Sequence, residues 1–424
     1  MSNFIRVGVL AGLVSFAGAC SSAEAVSDDE PSISGENAIV SVAHTGVERQ
    51  SIGNCWIYAH ATWVESMNLR ATKQAFDVSQ SYWTYWDWFE KITGRKYGGI
   101  ETKDGKTDVS TGGTWQHANN LVRRYGIMAE VDFVSEDSLT EMSARQKAAL
   151  TAIGVSLTSG ALKTTEARRN VTLVRTELDR AWSLSAETVG KLNSVFGADV
   201  SKTFESGSKA IEGSAIINAK SFKATYPRRS SRGNVYVTTT SLSTAMNGWS
   251  ELYYGPGDER SDQIRVQRAV HAEAPVLISW FVDFNALESD KNKPLAGSFN
   301  KITLDKNGPG RQGRHMTVLE DYQVKLPSGE VLLANVNITD KSKLAQALDR
   351  NATIEFLQVK NSWGADRPDR AFAPGMPGYH NLYLNYLDGP VKECTEHEGL
   401  KPVAERGCTR DTVPLDDFVL PPGF

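Results

Sequence analysis

The stretch RQSIGNCWIYAHATWVES, residues 49–66, joins a polar turn to the start of a helix. Gly53 and Asn54 precede Cys55, and Asn54 is a residue type that commonly begins helices. Apolar residues then recur at spacings of three, four and four, which places them on one helical face: Trp56, Ala59, Trp63 and Met67. Unpaired amides and the positive end of the helix dipole favour a thiolate at such a position. The pattern predicts that Cys55 is a nucleophile, and the alternative is a buried structural cysteine.

Two later stretches complete a resemblance to a known family. They are RHMTVL, residues 314–319, and LQVKNSWG, residues 357–364. Together with GNCWIYA, residues 53–59, they resemble the papain-like cysteine peptidases, in which such segments carry the catalytic cysteine, histidine and asparagine in this chain order. The resemblance implies Cys55, His315 and Asn361 as catalytic residues. It also implies that Trp363 shields the hydrogen bond between His315 and Asn361 from water.

Further stretches, VSQSYW at residues 78–83 and GGTW at residues 112–115, resemble the bleomycin hydrolase and aminopeptidase branch of that family. The resemblance implies an α+β fold of two lobes, one helical and one an antiparallel, β-barrel-like lobe. It covers roughly residues 38–135, the expected helical lobe with the nucleophile, and 235–387, the expected β-rich lobe with His315 and Asn361. Between them, residues 136–234 are rich in Ala, Leu, Glu, Lys and Arg and predict an inserted helical subdomain.

Thiol attack requires a partner that accepts the thiol proton and later donates it to the leaving amine. Imidazole suits this role, and His315 is our candidate among seven histidines because it carries the family-like motif. Such a pair is expected to give a bell-shaped pH profile of kcat/KM. The resemblance also implies an oxyanion hole formed by the Cys55 backbone amide and a glutamine. Gln50 is the candidate, although it lies one residue closer to Cys55 than the family pattern has it.

The N-terminus has the pattern of an export signal. Arg6 precedes an apolar run that is too short to span a bilayer, and the small residues of the segment AGAC end at Cys20. We expect a signal peptide at residues 1–19 of the bacterial lipoprotein type, lipidation of Cys20 and a disordered tether at residues 20–37. The protein would then be exported and lipid-anchored in the cell envelope. The alternative is an ordinary signal peptide cut near Ala25, which gives a secreted or periplasmic protein.

The remaining cysteines lie in the C-terminal tail, residues 388–424. If Cys20 is lipidated and Cys55 is the nucleophile, Cys394 and Cys408 are left in a chain sent to an oxidising compartment. We therefore expect a disulfide between them.

Composition limits the other functions. The net charge of −4 argues against a nucleic-acid partner, and no metal-binding motif is present, so neither a metal nor a cofactor is expected. The expected partner is a peptide or protein substrate, with membrane contact through the N-terminal lipid anchor alone and an oligomeric state that the sequence leaves open. Three functions remain: peptide hydrolysis through a Cys55 thioester, amide transfer or deamidation at the same site, and peptide or partner binding by a catalytically silent scaffold.

Overall fold

The computed structural model describes the backbone of residues 32–33 and all of residues 42–43, 45–95, 99–206, 213–255 and 257–424. The predicted signal peptide and Cys20 lie outside these ranges. The described chain is of the α+β class. Its helices are α1 Cys55–Thr72, α2 Gln80–Thr93, α3 Trp115–Tyr125, α4 Glu130–Phe133, α5 Ala144–Thr158, α6 Thr165–Arg169, α7 Val171–Ala181, α8 Ala186–Phe196, α9 Leu242–Gly248, α10 Glu259–His271, α11 Lys301–Asn307, α12 Lys341–Ala347 and α13 Leu384–Leu387.

Most strands lie in the second half of the chain. They are β1 Ser32–Ile33, β2 Ile100–Lys103, β3 Lys106–Val109, β4 Ile127–Met128, β5 Ile216–Ile217, β6 Lys223–Arg229, β7 Val235–Ser241, β8 Ser250–Tyr253, β9 Leu277–Asp283, β10 Ser298–Phe299, β11 Gln312–Lys325, β12 Val331–Leu332, β13 Thr353–Lys360, β14 Tyr379–Tyr383, β15 Val391–Glu393, β16 Arg410–Thr412 and β17 Leu415–Leu420. Among the described residues, no helix is both long and apolar enough to cross a bilayer.

Helix α1 is the central helix and begins at Cys55. It ends at Lys73, whose left-handed backbone (φ 60°) directs its N–H to the carbonyl of Leu69. The predicted apolar face is buried, and Glu65 on the opposite face is buried as well, with 1% exposure. Glu65 is held there because its carboxylate accepts a hydrogen bond from the Val78 amide (2.9 Å).

Helices α2 and α3 pack an aromatic core against α1. The side chain of Ser79 accepts a hydrogen bond from the Tyr82 amide, and that of Thr114 accepts one from the His117 amide, so both helices begin with a side-chain cap. Four aromatic residues of α2 are fully buried in this core: Tyr82, Trp83, Trp86 and Phe89. Gly126, whose N–H is bonded to the Val122 carbonyl, ends α3.

Residues 136–234, the predicted inserted helical subdomain, contain helices α5–α8, whose apolar faces join the same core. The C-terminal part of this range differs from the expectation. The basic segment from Lys223 forms strand β6, which pairs with β7 in an antiparallel hairpin. Residues 224–227 of this strand are buried, and Ala224 and Tyr226 lie in the hydrophobic core.

The main sheet has eight strands in the order β10-β14-β13-β11-β9-β17-β8, with β12 paired to one end of β11. Except for the parallel pair β10 and β14, its pairings are antiparallel. The expected barrel-like closure is wrong for the described residues, because the end strands β10 and β8 do not pair with each other. Strand β11 lies in the middle of this sheet, and its N-terminal half carries His315.

Candidate active site

Cys55 is the first residue of α1, as the sequence predicts. Its side chain is 8% exposed, and its sulfur lies where the helix meets the sheet, within hydrogen-bonding reach of the Met316 backbone on β11. The preceding Asn54 differs from expectation. Its side chain makes no cap hydrogen bond to α1 and instead donates to Thr84 Oγ1 (2.9 Å) and Gln146 Oε1 (3.0 Å). Asn54 therefore ties the turn before Cys55 to α2 and α5.

His315 and Asn361 are hydrogen-bonded to each other. His315 Nε2 lies 2.8 Å from Asn361 Oδ1, and both residues are buried. With this oxygen as acceptor, Nε2 carries the imidazole hydrogen, so Nδ1 has the free lone pair. His315 and Cys55 line the same cleft. The arrangement gives the imidazole a defined tautomer, with Nδ1 as the nitrogen able to accept a proton.

Asn361 is held in this orientation by two further hydrogen bonds. Its Oδ1 also accepts from the Ser362 amide (2.8 Å), and its Nδ2 lies 3.3 Å from Nδ1 of His380 on β14. Burial lowers the pKa of His380 to about 3, so this ring is neutral at physiological pH and its Nδ1 accepts the amide hydrogen. His380 thus fixes which end of the Asn361 amide faces His315.

Trp363 covers the His315 ring. The two rings stack with centroids 4.7 Å apart, and Trp280 packs its edge against the imidazole from β9 at 5.6 Å. Both indoles exclude water from the imidazole, and in the drier environment the hydrogen bond to Asn361 is stronger.

Burial sets the protonation of the cysteine and histidine. It raises the pKa of the Cys55 thiol to about 11, although hydrogen bonds from the Met316, Trp56 and Cys55 backbones oppose the shift. It lowers the pKa of His315 to about 4, against the hydrogen bond to Asn361 and with a smaller contribution from the charge of Arg370. The helix N-terminus therefore does not dominate, contrary to the expectation of a thiolate. The resting pair is a thiol and a neutral imidazole.

Gln50 lies at the cleft, next to Cys55. Its Nε2 donates one hydrogen to the Ile52 carbonyl (2.7 Å), and its Oε1 accepts from the Ser362 hydroxyl (2.6 Å). The Gln50 backbone amide donates to the Ser362 carbonyl (2.9 Å). These contacts join the turn before Cys55 to the segment that follows Asn361. The second amide hydrogen of Gln50 is left for a ligand in the cleft.

A buried lysine holds the loop next to the nucleophile. Lys91 Nζ donates to Asp87 Oδ2 (2.8 Å) and to the carbonyls of Ser110 (2.8 Å) and Gly112 (2.7 Å). Trp56, the residue after Cys55, donates its indole N–H to the carbonyl of Thr111 (2.9 Å). A β-carbon on Gly113 would lie 2.4 Å from the Trp56 ring, so only glycine permits this approach.

One cluster of carboxylates has the spacing of a cation site. Oxygens of Glu48, Asp77 and Glu130 lie within 4.8 Å of one another. Burial, followed by repulsion from Asp77, raises the pKa of Glu130 to about 9, so Glu130 holds a proton at neutral pH and the negative charge of the cluster is reduced. The cluster does not line the cleft of Cys55.

A disulfide joins Cys394 to Cys408. Its loop packs on the chain that leads into β11: the Cys394 amide donates to Gln312 Oε1 (2.8 Å), and the Gln312 amide donates to the His397 carbonyl (2.7 Å). Glu398, in the same loop, lines the cleft of Cys55. The disulfide loop therefore forms one edge of the cleft.

The sequence analysis missed several residues around the site. His380 and Trp280 fall on buried positions of strands that pair next to the His315 and Asn361 strands. No alternation along residues 379–383 marks His380, because the first four residues of this strand are all buried. The arginines of the cleft have no local sequence signal.

No protein-family model and no curated protein sequence matches this chain. Solved structures with similar folds include PepW from Lactobacillus rhamnosis HN001, with 12% identity and a TM-score of 0.40 over 92% of this chain and 82% of that one. Bromelain from Ananas comosus, solved with the E64 inhibitor, has 13% identity and a TM-score of 0.31 over 90% and 94%. The clostridial cysteine protease Cwp84 has 10% identity and a TM-score of 0.34 over 92% and 59%. Likenesses this distant do not bear on the chemistry.

Proposed function

We propose that this chain is a cysteine peptidase with a papain-like, two-lobe arrangement and that Cys55, His315 and Asn361 are its catalytic residues. The proposal rests on the hydrogen bond of 2.8 Å between His315 Nε2 and Asn361 Oδ1, which leaves Nδ1 as the proton acceptor in the cleft that also contains Cys55. The three residues come from one helix and two regions of the sheet, and each is buried at their junction.

In the first half of the reaction, the thiol proton moves to His315 Nδ1 as Cys55 Sγ attacks the peptide carbonyl carbon. The carbonyl π-electrons move to oxygen, and the Cys55 backbone amide with the free Gln50 amide hydrogen would stabilise that charge. The C–N bond then breaks. His315 gives its proton to the departing amine and leaves a thioester on Cys55.

In the second half, neutral His315 accepts a proton from water as the water oxygen attacks the thioester carbon. The C–S bond breaks, the carboxylic acid product leaves, and the proton returns to the Cys55 sulfur. Asn361 accepts the Nε2–H hydrogen bond throughout. An amine in place of water would give amide transfer by the same steps.

Labelling by an epoxide inhibitor of thiol peptidases tests this function. We expect one modification, at Cys55, and loss of both labelling and peptide hydrolysis in Cys55→Ala. Cys55→Ala is a matched variant because it removes one buried atom and leaves the helix intact. Labelling at no residue, or hydrolysis retained by Cys55→Ala, contradicts the assignment.

The pKa values favour a second candidate, a scaffold that binds peptides without cleaving them. A thiol with a pKa of about 11 and an imidazole with one of about 4 do not form an ion pair at rest. The same experiment separates the two functions. Peptides that bind wild-type protein and the Cys55→Ala variant equally, without hydrolysis or labelling, identify the scaffold.

We also propose that the protein acts in the cell envelope, anchored through a lipidated Cys20. The motif AGAC at residues 17–20 supports this location. One acyl chain gives only marginal attachment, so anchoring requires the multiply acylated cysteine of lipoproteins. Cys20→Ser should release the protein from the membrane fraction or block its processing. Equal membrane retention of the variant contradicts the anchor, and release of both forms indicates a secreted or periplasmic protein.

A further inference from the structure

The wall of the cleft beside Cys55 is rich in guanidinium groups. The cleft has a volume of about 440 Å³, and one acidic residue, Glu398, is among its described lining residues. Four arginines line it: Arg311, Arg314, Arg367 and Arg370. This positive wall contrasts with the net charge of −4 for the whole chain.

Internal ion pairs do not neutralise this wall. Asp369 is shared between Arg367 (Nε to Oδ1, 2.7 Å) and Arg370 (Nη2 to Oδ2, 3.4 Å). Arg314 pairs with Asp416 at the outer edge. The exposed guanidinium of Arg311 pairs with no carboxylate of the described residues. The cleft therefore has a positive charge available for a ligand.

Two of these arginines are held on aromatic faces next to the catalytic histidine. Arg311 Cζ lies 4.1 Å from the centre of the Phe284 ring, and Arg370 Cζ lies 4.9 Å from that of Trp363. The Phe284 and Trp363 rings are themselves 5.3 Å apart, and Trp363 stacks on His315. A guanidinium in contact with a ring face can still donate its N–H groups to an oxygen ligand. Arg370 Nη2 already donates to Asp369 Oδ2 (3.4 Å), so the donors available to such a ligand are mainly those of Arg311.

The positive charges of Arg311 and Arg370 act on each other and on His315. The charge of Arg311 contributes to lowering the pKa of Arg370, after burial and Arg367, and the charge of Arg370 contributes to lowering that of His315. These like charges repel each other, and an anion bound to both would offset the repulsion. A carboxylate at this point would relieve the repulsion and accept planar, charge-assisted hydrogen bonds.

We propose that Arg311 and Arg370 form a binding site for a substrate carboxylate, so that the preferred substrates are peptides with a carboxylate close to the scissile bond. That carboxylate is either the C-terminus of the peptide or an aspartate or glutamate side chain. The first source gives an exopeptidase that removes C-terminal residues, and the second gives an endopeptidase for acidic segments. The assignment of the carboxylate to a substrate rests on the proposed function, whereas the anion site itself does not.

Binding is tested with the Cys55→Ala variant and four fluorescent peptides that differ at only two points. One central position is either Glu or Gln, and the C-terminus is either a free carboxylate or a carboxamide. We expect the peptide with the recognised carboxylate to bind about tenfold more tightly than its neutral counterpart, by fluorescence anisotropy at low salt. Added salt should reduce the difference. The peptide pair that shows the difference identifies the source of the carboxylate.

Three substitutions in the Cys55→Ala background assign the effect. Arg311→Gln should reduce the ratio of affinities for the carboxylate peptide and its neutral counterpart to about one. Glu398→Gln should keep or increase this ratio, because it removes the acidic group of the cleft. Arg123→Gln is the matched control, since Arg123 is bonded to Asn247 (2.7 Å) and does not line the cleft. Equal binding of all four peptides, or a preference unchanged by Arg311→Gln, overturns the carboxylate site.

Kinetics of the wild-type protein with the same peptides separate the two proposals. Hydrolysis of neutral and acidic peptides at equal kcat/KM keeps the peptidase and removes the carboxylate site. Preferential binding of the acidic peptide without hydrolysis or Cys55 labelling supports the carboxylate site and contradicts the peptidase function. Preferential hydrolysis of the carboxylate peptide, abolished by Arg311→Gln, supports both.

Discussion

His380 is the residue that best explains the orientation of the candidate site. A primary amide can present either its oxygen or its nitrogen to His315, and the choice decides which imidazole nitrogen is the base. The Ser362 amide donates to Asn361 Oδ1 and His380 Nδ1 accepts from Nδ2, so both ends of the amide are specified. Because this imidazole is neutral, it acts as an acceptor and not as a competing positive charge.

The pH dependence of activity follows from the Cys55 and His315 pKa values. The reactive form has one proton on the pair. It is lost below about pH 4, where His315 is already protonated, and above about pH 11, where the thiol is ionised. We expect kcat/KM to be flat between these limits, measured after brief exposure to each pH. An alkaline limb several pH units below 11 would instead indicate a thiolate–imidazolium pair. Recovery of activity on return to neutral pH controls for unfolding.

His60 is a buried histidine outside the site, and it makes folding sensitive to acid. Neither of its ring nitrogens has a hydrogen-bond partner among the described residues, and burial lowers its pKa from 6.5 to about 3. The unfolded chain therefore binds this proton more tightly than the folded protein does. The stability contributed by neutral His60 is complete above about pH 6.5 and is lost as the pH falls below it.

We expect His60→Leu to gain stability relative to wild type as the pH falls from 6.5 to 5, by about 1.4 kcal/mol per pH unit at most. Denaturant unfolding at each pH measures the difference in the free energy of unfolding. His60→Gln is the control, because it also does not titrate and should show the same pH slope whatever its absolute stability. A difference that is independent of pH would show that His60 keeps an ordinary pKa in the folded protein.

At the scale of elements, α2 does more than supply aromatic core residues. Its C-terminal half carries Asp87 and Lys91, and Lys91 uses its three hydrogens on Asp87 and on two carbonyls of the loop at residues 110–112. The same loop is bonded to Trp56, the neighbour of Cys55. Helix α2 therefore fixes the loop beside the nucleophile by hydrogen bonds from a charged group that is itself 4% exposed.

Lys91→Met should be strongly destabilising, by about 3–5 kcal/mol, because it removes the ammonium group that pairs with the buried Asp87 carboxylate. The neighbour that remains, His117 Nε2 at 3.2 Å, belongs to an imidazole whose pKa burial lowers to about 3. Burial already raises the pKa of Asp87 to about 7 against the charge of Lys91. The double variant Asp87→Asn/Lys91→Met should lose less unfolding free energy than Lys91→Met, since it leaves no buried charge unpaired. Denaturant midpoints of the three proteins measure the difference. A double variant at least as unstable as Lys91→Met would contradict the argument.

At the scale of the whole molecule, the candidate site depends on contacts between parts of the chain that are far apart in sequence. Arg49 and Trp363 form an isolated β-bridge, which brings the turn before Cys55 against the segment after Asn361. The disulfide loop, residues 394–408, packs on the chain that enters β11. The first contact joins two segments of the candidate site to each other, and the second positions β11 by means of a region that contributes no candidate catalytic side chain.

Removal of the disulfide tests that dependence. Closing a loop of this length is worth roughly 3 kcal/mol in the chain-entropy model, so Cys394→Ala/Cys408→Ala should lower the free energy of unfolding by about that amount. Kinetic analysis should show a higher KM, because Glu398 and the neighbouring cleft edge become less ordered. Reductant is the control: it should bring wild type to the level of the variant and leave the variant unchanged. If wild type and the double variant were equally stable without reductant, the Cys394–Cys408 disulfide would not form.

The sequence by itself determined the features that depend on neighbouring residues. Side-chain spacing placed a helix at Cys55 with Trp56, Ala59 and Trp63 on one face, and all three are buried. The order of three motifs gave the candidates Cys55, His315 and Asn361. These signals are readable because helix periodicity and capping act over a few residues.

Only the tertiary structure decided the features that depend on distant partners. The side of α1 opposite its apolar face is buried because α1 is surrounded, and Glu65 there accepts a hydrogen bond from the Val78 amide. Asn54 reaches Gln146 and does not cap its own helix, and Arg311 and Arg370 meet through Phe284 and Trp363. The tertiary structure also decides the protonation of Cys55 and His315, because the effect of burial on their pKa values outweighs that of the local helix dipole. Burial and long-range contacts arise from packing between elements, and no local pattern encodes them.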